Sequence, residues 1–379
     1  MNNKNTSAKT DAVKHNRGES LMTSMVEQQS NSAVKSNLMP MMIIGVLFFI
    51  FGFVTWLNGS LIPFLKIICE LNEFQALLVT FAFYIAYTVM ALPMSFVLSR
   101  TGYKNGMALG LAVMVLGSLL FIPAAKTGHY FVFLTALFVL GSGLTILQTA
   151  SNPYVVKIGP ESSAAMRISI MGLINKAAGV LAPALFTALV LSGMGDYSES
   201  HMASLDAVAK QAKIDELSNA LIGPYIAMAA VLAALVAFVK FSNLPELELE
   251  SEEEAGDDRS IMSFPQVVLG AVAIFFYVGI EVIAGDTIGL YGQALGVANF
   301  AALTSYTMVF MVIGYVIGVT CIPRFISQQQ ALLGSAVAGI ICIIGVLTAS
   351  QESTLIADVL WGWSGIATIP DSVTFVALL

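Results

Sequence analysis

Nine long apolar runs follow one another along this chain, and each is long enough to cross a bilayer as a helix. They cover residues 39–65, 76–98, 105–124, 130–152, 165–192, 221–242, 265–290, 299–322 and 330–349. Lipid offers no hydrogen bonds to the backbone, so a spanning segment of this length must satisfy its own polar groups as a helix. Residues 366–379 read as the first half of a tenth span. The sequence therefore predicts an all-α polytopic membrane protein with nine full spans and part of a tenth.

Charge is too scarce in this chain for a soluble protein. Only 11% of the 379 residues are charged and 57% are hydrophobic, whereas a soluble domain carries about 25% charged residues. The 17 Lys and Arg residues form no basic stripe, so we expect no nucleic-acid partner. The three histidines, His15, His129 and His201, lie in the N-terminal tail or at span edges. No Ser–His or metal constellation is then expected at mid-membrane depth, and we predict that the chain is not an enzyme and uses no cofactor beyond a coupling ion.

Polar segments divide the chain into four parts. Residues 1–37 are predicted to be a disordered cytoplasmic tail, because they are polar and lack the apolar region of a signal peptide. Residues 38–243 hold six spans and are predicted to form the first helix bundle. Residues 244–263 carry eight Asp and Glu residues and are predicted to be an acidic cytoplasmic linker. Residues 264–379 are predicted to form a second, incomplete bundle with spans seven to nine and the start of a tenth.

Lys and Arg are distributed unequally between the two sets of loops. With the N-terminus inside, the cytoplasmic side carries 12 of these residues and the outer side 4. Positive residues accumulate on the cytoplasmic side of membrane proteins. We therefore expect a multi-pass protein of the inner (cytoplasmic) membrane with its N-terminus in the cytoplasm.

The two halves of the chain repeat each other weakly. Residues 48–52 read FFIFG and residues 275–279 read FFYVG, at an offset of 227 residues. Repeats in the same direction after six spans are typical of transporters built from two parallel halves. At this offset Gly59 of the first half aligns with Asp286 of the second.

Two acidic residues lie inside the seventh span. A charge near the bilayer centre costs about 2.5–3.5 kcal/mol, which makes Glu281 and Asp286 candidates for function. On a regular helix they point about 140° apart, so they are not expected to share one ion as a simple pair. Gly285 and Gly289 are expected to loosen the helix and free backbone carbonyls as ligands. The alternative for Glu281 is a structural contact with a neighbouring helix.

One basic residue, Lys176, lies deep in the fifth span. A lone buried ammonium group is costly, so we expect a partner on another helix, either Asp286 or Glu281. The alternative is that the side chain extends to one face of the membrane, with its charge in water.

Amides and one tryptophan suggest how a polar solute is held. An amide both donates and accepts hydrogen bonds, which suits the hydroxyls of a sugar, and an indole offers a flat face to the C–H side of a pyranose ring. The alternative for the amides is hydrogen bonding between helices, worth about 0.6 kcal/mol each. Composition alone does not select a sugar over another polar solute. The candidate substrate contacts are Gln148, Asn175, Asn152, Asn58 and Trp56.

Four segments resemble one branch of a known transporter family. Residues 53–65 (FVTWLNGSLIPFL) are similar to the first-span signature of the fucose and glucose/galactose branch of the major facilitator superfamily. Residues 148–155 (QTASNPYV) and 159–163 (GPESS) resemble its fourth-span signature, and residues 281–292 (EVIAGDTIGLYG) resemble the glucose/galactose members. This resemblance implies the major facilitator fold of two pseudo-repeated helix bundles, a central sugar cavity and import driven by a cation gradient.

The chain departs from the resembling family at two acidic positions. The fucose–proton symporters have an acid where this chain has Gly59, and a Glu where it has Gln148, so proton coupling through those acids does not carry over. The repeat aligns Gly59 with Asp286, which suggests that the carboxylate has moved to the other half. Our hypothesis is that Asp286, with Glu281 or nearby carbonyls, binds Na⁺, since some members of this branch use sodium. No other metal site is predicted.

The family has twelve spans, and this chain stops within the tenth, which suggests a truncated reading frame. The expected function is a secondary active transporter that imports a hexose of the glucose/galactose class with Na⁺ by alternating access. We expect it to act as a monomer, with a small-molecule sugar and the lipid bilayer as its partners. The alternatives are a proton-coupled transporter of another sugar such as fucose, and a truncated membrane remnant that does not transport.

Overall fold

The computed structural model describes residues 39–160, 163–191, 199–247, 261–297, 299–322, 324–349 and 371–378. The predicted N-terminal tail, most of the predicted acidic linker and residues 366–370 and 379 of the predicted tenth span lie outside these ranges.

Helices dominate the described residues, which contain no β-strand. The helices are α1 (Met39–Ile68), α2 (Glu73–Thr127), α3 (Tyr130–Lys157), α4 (Ala164–Phe186), α5 (Glu199–Ser204), α6 (Ala207–Ala220), α7 (Ile222–Phe241), α8 (Pro265–Ala294), α9 (Leu303–Cys321), α10 (Gln328–Thr348) and α11 (Asp371–Leu378). A π-helical turn, Thr187–Leu191, follows α4, and 3₁₀ turns precede α8 (Ile261–Ser263) and α9 (Phe300–Ala302).

Helix α2 contains two of the predicted spans. Its 55 residues are about 80 Å long as a helix, more than twice the thickness of the hydrocarbon layer. Its helical geometry breaks at Gly102, where φ is 74° and ψ is 173°, a conformation that glycine adopts without steric cost. Within the described residues, seven other helices are also long and apolar enough to cross a membrane, and with the two arms of α2 they account for the nine predicted spans.

The helices pack in two groups, which we call the first half (α1–α7) and the second half (α8–α11). In the first half α2 packs against α3 and α7. A Cβ on Gly117 of α2 would lie 2.6 Å from the backbone nitrogen of Leu140 on α3, so the missing side chain lets these two helices approach closely. In the second half α8 packs against α9, and α11 packs against α8, α9 and α10. Helix α4 packs along α9 and joins the two halves.

Apolar side chains cover the outer surface of the second half. Only 6% of the most hydrophobic stretch of α8, and the same share of α10, is buried within the protein. Large exposed side chains such as Phe275, Phe276 and Ile340 form a surface far more apolar than a soluble protein presents to water. This surface is suited to contact with lipid.

Candidate functional site

Helices α1 and α8 cross with almost no side chain between them. A Cβ on Gly59 would overlap the Thr304 side chain and lie 2.9 Å from the Gly285 carbonyl oxygen, and a Cβ on Gly289 would lie 3.0 Å from the Gly59 carbonyl oxygen. Helix α8 is regular through both Gly285 and Gly289. The prediction that Gly285 and Gly289 loosen the helix is therefore wrong, because their missing side chains instead make room for α1.

Buried hydroxyl groups hold the two halves together beside this crossing. Ser60 of α1 donates a hydrogen bond to the Ala301 carbonyl oxygen at 2.5 Å. Ser305 of α9 donates one to the Val180 carbonyl oxygen of α4 at 2.9 Å. The two halves can separate here only by breaking these bonds.

A buried charged pair lies in the same interface. The ammonium group of Lys176 on α4 forms an ion pair with the Glu281 carboxylate on α8. The same ammonium lies 4.5 Å from the centre of the Trp56 ring of α1, within the range of a cation–π interaction. Of the two partners that the sequence suggested for Lys176, the structure therefore shows Glu281 and not Asp286. Lys176 is buried and paired with Glu281, so the structure does not show the alternative in which its charge lies in water.

Asp286 lies one and a half turns further along α8 and faces a different helix. Its side chain is fully buried, and within the described part of the chain neither carboxylate oxygen has a hydrogen-bond partner. The hydroxyl of Tyr84 on α2 is its polar neighbour, but the two groups do not meet hydrogen-bond geometry. Glu281 faces α4 and Asp286 faces α2, as their angular separation on a regular helix requires, so the two acids do not form one ion site.

The four candidate amides differ in their surroundings. Asn58 is buried, and its Nδ2 atom has no hydrogen-bond partner in the described residues. Asn175 is half-buried and donates a 3.4 Å hydrogen bond to the Phe48 carbonyl oxygen, which is the interhelical contact considered as its alternative. Gln148 is half-buried and Asn152 is exposed. Both lie on α3, which packs against α2 and α4 and carries neither member of the charged pair.

The structure also reveals polar residues that the sequence analysis missed. Tyr84 neighbours Asp286, and Thr304 donates a 3.0 Å hydrogen bond to the Gly285 carbonyl oxygen. One signal for Tyr84 was present, because Thr80, Tyr84 and Tyr87 recur at the spacing of one helix face in an otherwise apolar span. Thr304 had no such signal, since a lone hydroxyl in a membrane helix commonly bonds to its own backbone.

No group of three or more His, Cys, Asp and Glu side chains comes together in the described ranges to hold a metal ion. A cation at Asp286 would therefore need hydroxyl or carbonyl oxygens as its other ligands.

Two relatives from bacteria align with most of this chain. The "Glucose/galactose transporter" of Brucella abortus is 35% identical over 306 residues, which cover 79% of this chain and 70% of that protein. The "L-fucose-proton symporter" of Escherichia coli is 28% identical over 321 residues, which cover 82% of this chain and 73% of that protein.

A solved structure shares the fold. The crystal structure of the Escherichia coli fucose:proton symporter superposes with a TM-score of 0.67 at 24% identity, covering 90% of this chain and 80% of that one. The sequence model of the Major Facilitator Superfamily matches residues 44–378. The predicted fold class is thereby confirmed: this multi-pass membrane protein belongs to the Major Facilitator Superfamily and is a transporter, not an enzyme.

Proposed function

We propose that this chain imports a hexose of the glucose/galactose class together with a cation. The name of the Brucella abortus relative supports a hexose as substrate, and that of the Escherichia coli relative supports a sugar carried with an ion. Trp56 and the buried amide of Asn58 are suited to the apolar face and the hydroxyls of such a ring. The proposal places the N-terminus in the cytoplasm and the protein in the inner membrane, for which the distribution of Lys and Arg is the support.

The main support for the proposal is that the Asp286 carboxylate is buried without a hydrogen-bond partner in the part of the chain that the structure describes. A fully buried carboxylate without a hydrogen-bond partner in the described residues is costly as a free anion. A bound cation or a proton removes that cost. If the ion binds Asp286 more tightly in one conformation than in the other, its gradient shifts the balance between them and drives the sugar. Asp286 is therefore our coupling residue.

Na⁺ is the coupling ion that we propose first, and a proton is the second candidate. A hard cation binds oxygen ligands, and Asp286 offers two carboxylate oxygens with the Tyr84 hydroxyl beside them. A proton is favoured by the name of the Escherichia coli relative and needs no further ligand.

The test uses the full chain in proteoliposomes with labelled galactose or glucose. We expect an imposed Na⁺ gradient to drive accumulation of sugar above equilibrium; accumulation that follows only a pH gradient identifies the proton instead. Asp286→Asn should abolish accumulation and keep exchange of labelled for unlabelled sugar. Asp215→Asn is the matched control, because Asp215 is exposed on α6 and should leave accumulation unchanged.

Two results would overturn the proposal. Normal accumulation by Asp286→Asn would remove Asp286 from the coupling mechanism. A protein that binds galactose but exchanges none across the membrane would be a sensor or a remnant without transport activity.

A further inference from the structure

The charged pair Lys176–Glu281 connects the two halves at the depth of the candidate substrate site. Lys176 belongs to α4 of the first half and Glu281 to α8 of the second, and their side chains are 9% and 14% exposed. Tyr277 and Tyr315 of the second half also lie near the Glu281 carboxylate. If the halves separate here and no other group binds the two charges, the ammonium and the carboxylate are each left unpaired in a poorly solvated interface.

The Trp56 ring is enclosed between the two halves beside this pair. A Cβ on Gly179 of α4 would lie 2.6 Å from the ring atom Cδ1, and a Cβ on Gly285 of α8 would overlap the other side of the indole. The ammonium of Lys176 lies over the ring face. In this conformation the protein's own cation therefore occupies the surface on which we expect a sugar ring to stack.

We propose that the Lys176–Glu281 pair is a lock that a hexose displaces. This inference rests on the proposed function. The apolar C–H face of the pyranose takes the place of the ammonium on Trp56. The released ammonium donates to a sugar hydroxyl oxygen, and the Glu281 carboxylate accepts from a sugar hydroxyl. A hexose serves both groups because each of its hydroxyls donates and accepts.

The exchange explains how sugar binding permits the halves to move. Without sugar, separation leaves both charges unpaired, so the empty protein opens less often than the sugar-bound protein. With sugar, each charge keeps a hydrogen-bond partner when the ion pair breaks. The sugar then binds the open state more tightly than the closed state, and this difference in affinity shifts the balance toward the open state. A sugar that lacks one of these hydroxyls leaves a buried charge unpaired and should be rejected.

The reporter of separation is a single cysteine in place of Ala301, which is 1% exposed and accepts the hydrogen bond of Ser60 across the interface. The native cysteines Cys69, Cys321 and Cys342 are replaced by alanine. The rate of maleimide labelling of the purified full chain in detergent, with and without galactose, then measures how often this interface opens.

The decisive variant is the double substitution Lys176→Met/Glu281→Gln, which removes both charges and leaves neither unpaired. We expect it to label about tenfold faster or more without sugar, the size of coupling common between linked sites. Galactose should increase the labelling rate of the parent protein and should leave the labelling rate of the double variant unchanged. The control is Lys66→Met/Glu73→Gln. It removes a 2.5 Å ion pair between a buried lysine and a glutamate, both in the first half, so this variant should label at the same rate as the parent.

Sugar-free labelling of the double variant at the parent rate would overturn the lock. Equal acceleration of parent and double variant by galactose would also overturn it, because the sugar would then open the interface without the pair. The double variant could label fast without sugar while galactose leaves the labelling rate of the parent unchanged. That result would support the lock and would contradict only the proposal that galactose is a substrate.

Discussion

The tight crossing of α1 and α8 at Gly59 leads to a quantitative prediction. In Gly59→Ala the added Cβ would overlap the Thr304 side chain and lie 2.9 Å from the Gly285 carbonyl oxygen. Thr304 cannot easily turn away, because its hydroxyl donates to that same carbonyl. The new methyl group therefore forces α1 and α8 apart. Gly45→Ala on the same helix is the matched control, since its Cβ would meet only the tips of the Ile174 and Met171 side chains, at 3.4 Å and 3.9 Å.

The expected magnitude follows from the difference between these two variants. Replacing glycine by alanine in a helix stabilises it by about 1 kcal/mol, and this gain cancels in the comparison. Overpacking of a tight contact costs about 1–3 kcal/mol. The cost falls on the conformation in which α1 and α8 touch, so the open fraction should rise about 5- to 150-fold in Gly59→Ala relative to Gly45→Ala.

The assay is maleimide labelling of Ala301→Cys without sugar in the protein free of native cysteines. We expect Gly59→Ala to label faster than Gly45→Ala by the factor given above. Equal rates for the two variants would refute the reasoning, because the α1–α8 crossing would then not limit the opening of the interface.

Two further predictions concern residues away from the interface. Arg167 donates hydrogen bonds to four backbone carbonyls at the end of α3 and in the following turn, so Arg167→Gln should lower the free energy of unfolding by about 1.5–3 kcal/mol. Thermal unfolding beside the exposed control Arg100→Gln checks this, and equal melting temperatures would contradict it. Burial raises the pKa of the Cys69 thiol to about 12. Because the thiolate is the reactive form, the rate of alkylation of a protein with Cys69 alone should still rise steeply above pH 10. A rate that levels off at about pH 10, as an ordinary thiol with a pKa of about 8.5 gives, would contradict this.

The architecture of the protein could be predicted from its sequence because the bilayer leaves few alternatives. Each apolar run had to become a helix, and the described residues contain eight helices long and apolar enough to cross a membrane, of which α2 holds two of the predicted spans. The sequence also singled out Lys176, Glu281 and Asp286, because a charge in an apolar run is costly wherever the helix lies. The regular helix geometry of α8 was enough to predict that its two acids face different neighbours.

The partners of these charges were not predictable in the same way. Lys176 and Glu281 are separated by 105 residues in the sequence, and their contact depends on how the whole interface orients and spaces α4 and α8. The role of Gly285 was misread for the same reason: a glycine in a membrane helix permits either a distortion or a close approach, and only the position of α1 distinguishes them.

The sequence by itself therefore determined the class of protein, the number of spans and the residues whose burial requires compensation. Hydropathy and helical periodicity are local properties, and they are sufficient for those three results. Only the tertiary structure decided that Lys176 covers Trp56 and pairs with Glu281, and that Asp286 stands without a hydrogen-bond partner among the described residues. Such contacts arise from side chains far apart in the chain, so their energies depend on distances that no local pattern contains.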